Sequence, residues 1–270
     1  MSAEDKYGPF VIALEKYDDT AESVTVPYGV TKIGRRAFSN NRYLKEIVLP
    51  DSVVEICEDA FASCVNIESL TIPKSVRIIG SGAFKGCWRL TSMEIPEGVT
   101  TLGTKTFARC RMLSDVKLPS TLTSIGDACF QHNGSLEHLD LPEGLERIGE
   151  SAFYNCQKLV LEELPESLEV IENEAFRNCS SLEAINLPDS LSWLGQRAFK
   201  DCKSLKTIAL PPQLDYLEEG TFEGCSSLDA VLVGDNLSHI ESRAFSSTGL
   251  QADDISLPDE CTVADDAFLH

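Results

Sequence analysis

Apolar residues return along this chain on a fixed schedule. The stretch from Leu187 to Leu210, LPDSLSWLGQRAFKDCKSLKTIAL, shows one cycle. With Pro188 as position zero, apolar side chains fall at +3 (Leu191), +6 (Leu194), +11 (Phe199), +17 (Leu205), +20 (Ile208) and +22 (Leu210). The segment Leu-x-x-Ile-x-Leu is short, half-alternating and stopped by proline, which predicts a short strand. Proline ends it because it has no N–H for the next ladder bond. The residues after it (PDS, PKS, PEG, PES) are turn formers. Val/Leu-x-x-Ile-Gly then turns onto a second face, and Ala-Phe-x-x-Cys predicts a single helical turn.

The cycle is 23 residues long and repeats throughout. Pro27, Pro50, Pro73, Pro96, Pro119, Pro142, Pro165, Pro188 and Pro211 are evenly spaced, Gly234 takes the next slot, and Pro258 arrives one residue late. Ten phenylalanines, from Phe38 to Phe245, each sit at +11, and Phe268 repeats the theme one residue early. Such a unit cannot fold alone. Ordering it costs roughly 1–2 kcal/mol per residue, against about 2–3 kcal/mol from one buried Phe. Stacked copies close that gap, because each apolar residue packs on its equivalents above and below. The expected fold is therefore a repeat solenoid. Its strands form a parallel sheet at ~4.8 Å spacing, and ten copies span roughly 50 Å.

The pattern Leu-x-x-Ile-x-Leu-Pro-x-Ser-Val/Leu-x-x-Ile-Gly-x-x-Ala-Phe-x-x-Cys resembles the BspA-like leucine-rich repeat family over about residues 24–258. The resemblance implies a leucine-rich-repeat solenoid of the α/β class but rich in β. It would be a right-handed curved stack of about ten units with a concave parallel sheet and short helical turns. It also implies a binding role, often in bacterial or protist surface proteins that contact host proteins or other cells. The family has no catalytic residues to carry over.

The ends depart from the pattern. Residues 1–23 are expected to cap the first repeat's open edge, residues 24–257 form the solenoid, and residues 258–270 are a partial eleventh repeat or C-terminal cap. The N-terminus, MSAEDKYGPF, has no run of signal-peptide length, and no stretch approaches the ~18 apolar residues of a membrane span. A chain that starts naturally at Met1 would be cytoplasmic; one whose signal peptide had been removed would be extracellular or at the cell surface. The formal charge is −20, from 43 acids and 23 bases. That balance disfavours nucleic acid and anionic lipid, and favours basic partners.

Ten cysteines raise the question of chemistry. Seven share the +14 column: Cys64, Cys87, Cys110, Cys156, Cys179, Cys202 and Cys225, with Asn41 and Asn133 in the same column. Stacked side chains pointing the same way do not make disulfides, and no CxxC pair supports zinc. The Cys/Asn interchange points to a small buried donor to backbone carbonyls, a role Asn should fill better than Cys. Cys57, Cys129 and Cys261 replace small or apolar residues and read as packing. The +7 glycines (Gly34, Gly80, Gly103, Gly126, Gly149, Gly195) lack any phosphate-loop motif and share their column with Glu172, Glu218 and Glu241, which reads as a tight corner. The +1 acids (Asp51, Glu97, Glu143, Glu166, Asp189, Asp235, Asp259) lack calcium-loop spacing and read as a solvated ridge. No catalytic, metal or cofactor residues are assigned.

Partner information should lie in columns that vary while the core repeats. At +21 and +19 the expected concave face presents Glu94, Lys117, His138 and Asp140 near its middle, and small apolar residues in its C-terminal third. At +5, successive repeats hold Val170, Trp193, Tyr216 and His239, an interface patch if they face outward and core if they face inward. These eight residues are the candidate partner-binding set. In QKLVLEELP, Glu162 occupies a core slot, so a bulge is expected that moves Leu161 into the core and turns Glu162 outward. The functional expectation is a monomeric, non-enzymatic module of surface or adhesion type that binds an unidentified protein, without nucleic acid, membrane insertion or cofactor. The alternatives are a passive spacer, or an intracellular interaction protein with no adhesion role.

Overall fold

The protein is described here by a computed structural model covering residues 12–161 and 163–269. It is a parallel-strand β-solenoid of about eleven turns, one sequence repeat per turn. Each turn contributes to two rows of short strands.

The long row uses positions +19 to +21. Ser23–Thr25, Glu46–Val48 and Ser69–Leu70 pair in parallel, as do Ser92–Glu94 with Asp115–Lys117, and Thr207–Ala209 with Ala230–Leu232. Single bridges continue the row at Asp115, His138 and Val160, and at Ala184 and Thr207. The middle residue of each three-residue strand is buried and its two neighbours are exposed. The short row uses +5 and +6, where +6 is buried in the ten complete turns, as with Ile33, Ile125 and Leu217. Every pairing in the complete turns except the bridge from His138 to Val160 joins residues 23 apart, which is why the sequence clock is so regular: a one-residue slip would turn a strand's core residue outward.

Proline starts the connection between the rows. The Pro27, Pro50 and Pro119 carbonyls each accept the N–H three residues on, closing a β-turn. The +2 serine hydroxyl donates to the +3 carbonyl of the preceding turn, as in Ser52 to Val30, Ser75 to Val53 and Ser190 to Leu168. This satisfies a carbonyl that the turn geometry would otherwise strand.

The expected helical turn at Ala-Phe-x-x-Cys is corrected by the structure. Positions +9 and +13 are left-handed in all ten turns, with φ between 52° and 75°, as at Arg36 and Asn40, Lys105 and Arg109, or Gly220 and Gly224. The result is a pair of linked tight turns. N–H groups at +10, +12 and +14 bond back within the turn, as Ala37, Ser39 and Asn41 do to Gly34, Arg36 and Phe38. Those at +9, +11 and +13 bond to the next turn, as Arg36, Phe38 and Asn40 do to Glu58, Ala60 and Ala62. Alternating left-handed residues aim alternate N–H groups along the solenoid axis, which a helical turn cannot do.

The core is one continuous cluster along the stack, with a column of rings running through it. Phe38 through Phe245 stack ring on ring, with centroids 5.1–5.6 Å apart and planes within 11°. Tyr17 extends the stack at one end and Phe268 at the other. At those ends, Ala13–Leu14 pairs with Lys32–Ile33, and Thr262–Val263 with His239–Ile240.

The +7 glycines do not adopt positive φ; they are close-approach positions. A Cβ on Gly126 would lie 2.7 Å from the Leu102 carbonyl oxygen, and one on Gly149 2.7 Å from the Asp127 nitrogen. The tight corner is thus set by the neighbouring turn's backbone.

Val160 bridges His138 although it stands at +18 against +19, so the pairing slips by one residue there. Leu161 is buried, as the expected bulge requires. Glu162 itself lies outside the described residues.

Candidate binding surfaces

The long row places Glu94, Lys117, His138 and Asp140 on one exposed face. Glu94 and Lys117 occupy the same column in adjacent turns and form an ion pair at 2.9 Å. That hydrogen bond holds the Glu94 carboxyl below its ordinary pKa and the Lys117 ammonium above its own. A groove of about 970 Å³ runs beside the pair, lined by Thr71, Lys74, Ser92, Glu94, Glu97 and Lys117 among others. Toward the C-terminal third, Ala184, Ala209, Ala230 and Leu232 are exposed on the same face. The row therefore changes from charged to apolar along its length, as the sequence order implies.

The +5 column faces outward. Trp193 is 42% exposed, His239 is exposed, and Val170 and Tyr216 are half-buried. The four are two pairs and not a continuous stack. Val170 is strand-paired with Trp193, and Tyr216 with His239, whose ring lies 4.8 Å away and nearly parallel. Among the described residues no strand pairing or ring contact joins Trp193 to Tyr216. The Tyr216 hydroxyl donates to Glu241 at 2.7 Å, which raises its pKa. Ile78 is a further exposed apolar member of this column that the sequence reading passed over, because its neighbours Glu55 and Thr101 are polar.

The +14 cysteines are buried thiols. Each donates to the carbonyl of the preceding turn's phenylalanine, from Cys64 to Phe38 (3.0 Å) through Cys225 to Phe199 (3.1 Å). The same carbonyl oxygens of Phe61, Phe84, Phe153, Phe176 and Phe199 also accept an N–H from the +14 residue of their own turn, so both lone pairs are used. Burial pushes the thiols of Cys64, Cys110, Cys156 and Cys225 up to about 12, and those of Cys87, Cys179 and Cys202 well above the ordinary value. These are packing and hydrogen-bonding groups with no thiolate character.

The asparagines divide. Asn41 donates to the Asp19 carbonyl and accepts from the Tyr43 and Leu44 N–H groups. Asn133 is fully buried with no partner among the described residues for either side-chain atom, so there Asn serves the column less well than Cys, contrary to the sequence expectation. Thr248 occupies the last +14 position, where its hydroxyl donates to the Phe245 carbonyl of its own turn and not to the preceding turn's as the cysteines do. Cys57 and Cys129 are buried; Cys261 is half-buried. The +1 acids are all exposed. No group of His, Cys, Asp and Glu among the described residues has the arrangement of a metal site. No described helix is long and apolar enough to cross a membrane.

Comparison with known proteins agrees with this architecture. Three solved structures are similar to the chain. A leucine-rich repeat protein from Bacteroides ovatus is 26% identical, with a TM-score of 0.68 over 94% of this chain and 78% of that one. A leucine rich cell surface protein from Faecalibacterium prausnitzii is 29% identical, with a TM-score of 0.56 over 89% and 74%. The pneumococcal vaccine antigen PcpA is 26% identical, with a TM-score of 0.51 over 90% and 62%. No curated protein matches. The model of the BspA type leucine rich repeat region matches residues 16–133, 77–163 and 160–270, and the chain belongs to that family.

Proposed function

We propose that this chain is a non-enzymatic protein-binding module of the surface or adhesion type, acting as a monomer. The observation that carries the reading is the exposed, non-repeating set of side chains on a backbone that repeats. Trp193 stands 42% exposed on a strand whose other residue, Leu194, is buried in the core. An exposed indole held by a rigid strand has the character of a binding hot spot. The proposal takes residues 1–23 and 258–270 as caps, and Val170, Trp193, Tyr216 and His239, with Glu94, Lys117, His138 and Asp140, as contact residues. The cell-surface description of the Faecalibacterium relative supports an extracellular role.

The test is capture of partners from host-cell surface extracts by the purified chain. Trp193→Ala and Tyr216→Ala should each remove specific partners while leaving the fold intact by circular dichroism. Retention of every captured partner by both variants would remove the +5 column from the reading.

A passive spacer is the competing reading, favoured by the ion pairs that tie equivalent residues in adjacent turns, such as Lys45–Glu22 and Lys206–Glu183. It predicts that no surface substitution affects any interaction.

A further inference from the structure

The acidity of the chain is not uniform. Positions +12 to +16 form the corner where the paired tight turns lead back to the long row. In seven successive turns, from Ser39–Tyr43 to Arg177–Ser181, this corner holds no Asp or Glu and seven Lys or Arg. The chain as a whole carries almost twice as many acids as bases. The corner is thus a basic strip on an acidic molecule.

Its N-terminal part is also apolar. Two adjacent columns run Arg42, Val65, Trp88, Arg111 and Tyr43, Asn66, Arg89, Met112 through successive turns. Tyr43, Trp88 and Met112 are 56%, 45% and 51% exposed. The Arg111 guanidinium lies over the Trp88 ring, 4.9 Å from its centroid. That stacking occupies one face and leaves the N–H edge free for a carboxylate. Arg42, Arg109 and Arg111 form no ion pair among the described residues, although acids are abundant elsewhere; Arg89 reaches Glu68 at 3.4 Å. Further along the strip the cations are already engaged, Lys158 by Glu137 and Arg177 by Glu174. The free cations therefore span only the three steps from Arg42 to Arg111, roughly 14 Å at one strand spacing per turn.

We propose that the corner from Arg42 to Met112 is a docking site for a short acidic segment of a partner protein, with carboxylates on the arginines and apolar side chains against Trp88 and Met112. Exposed Trp, Tyr, Met and Arg together are the residue types that protein interfaces concentrate. A long polyanion, whether duplex nucleic acid or a sulfated polysaccharide, would overrun this short strip. It would then meet the acidic remainder of the surface within a Debye length of about 8–10 Å. The site lies on a different corner from the +5 and +21 columns and can fail without them.

The probe is a fluorescein-labelled twelve-residue peptide of glutamates interspersed with leucine and tyrosine, followed by anisotropy with the full chain. We expect saturable binding that weakens as salt rises, and no binding of the same peptide with glutamine for glutamate. Arg42→Glu with Arg111→Glu should weaken binding at least tenfold, and Trp88→Ala severalfold. Trp193→Ala should leave it unchanged, so that this site and the +5 column are tested separately. Thermal melts establish that the exposed-site variants fold, and Arg109→Asn supplies an independent, milder loss. Absence of binding, equal binding by the double variant, or displacement of the peptide by a sulfated polysaccharide or duplex DNA at lower concentration than by unlabelled peptide would overturn the proposal.

Discussion

The Cys179 sulfur donates to the carbonyl oxygen of Phe153 at 3.2 Å, and the same oxygen accepts the backbone N–H of Cys156. One carbonyl therefore ties together three positions in two turns. Cys179→Ala removes the thiol bond, keeps the Cys156 N–H bond and leaves a small void, at an expected cost of about 1–2 kcal/mol in urea denaturation. In the folded protein, alkylation by iodoacetamide at pH 8 should reach the half-buried Cys261 first, and the +14 thiols only on unfolding.

The ring stack gives a second expectation. Phe176 packs between Phe153 and Phe199 with no exposure. Phe176→Ala should cost about 3–5 kcal/mol. Phe268, at the end of the stack and only half-buried, has one ring neighbour among the described residues, and its alanine variant should cost distinctly less in the same assay.

Two kinds of position carry opposite expectations for glycine. Gly126→Ala drives a Cβ against the Leu102 carbonyl and should destabilise by about 1–3 kcal/mol. Lys105 is exposed at φ 60°, where an L-residue is strained. Lys105→Gly should stabilise by up to about 1 kcal/mol, the relief of strain outweighing the added chain entropy. Thermal melts of the two variants should shift in opposite directions.

His132 predicts a pH effect. Burial holds its pKa below the ordinary value, helped by the charges of Arg109 and Arg111. Its Nδ1 also faces the Asn155 side-chain amide at 3.1 Å, and the Tyr154 ring meets its edge. Protonation at Nδ1 would replace an accepted hydrogen bond by two opposed donors. The unfolded chain takes up the proton first, so stability is full above about pH 6.5 and falls as pH drops through the depressed folded-state value. The melting temperature should decline between pH 7 and 5. His132→Gln should flatten that step, leaving the later loss from carboxylates such as Glu94 and Glu137, whose pKa values are lowered by Lys117 and Lys158.

The repeat clock was legible because each core residue meets its own equivalent, so selection writes the same letter in the same column. Pro27, Phe38 and Cys64 announce a turn start, a stacked ring and a buried donor from spacing alone. The tight turns were not legible as such. Glycine or asparagine marks some copies, as at Gly82, Gly220 and Asn40, but others hold Arg36, Lys105 and Ala128, ordinary side chains whose strain is held by hydrogen bonds to the next turn, and local sequence does not display that support. The outward direction of Trp193 needed the strand register, since +5 and +6 are adjacent and only one can face the core. The basic corner was hidden by averaging: a net charge of −20 conceals a strip whose members lie 23 residues apart.

The bonds between turns run along the axis of the stack, and no covalent link among the described residues joins one turn to another except the chain itself. A force applied to the two ends would therefore load these bonds in series and peel the structure from an end, one turn at a time. Each release would free 23 residues, roughly 76–83 Å of contour length. Under tension the molecule would lengthen in equal steps set by the length of its repeat.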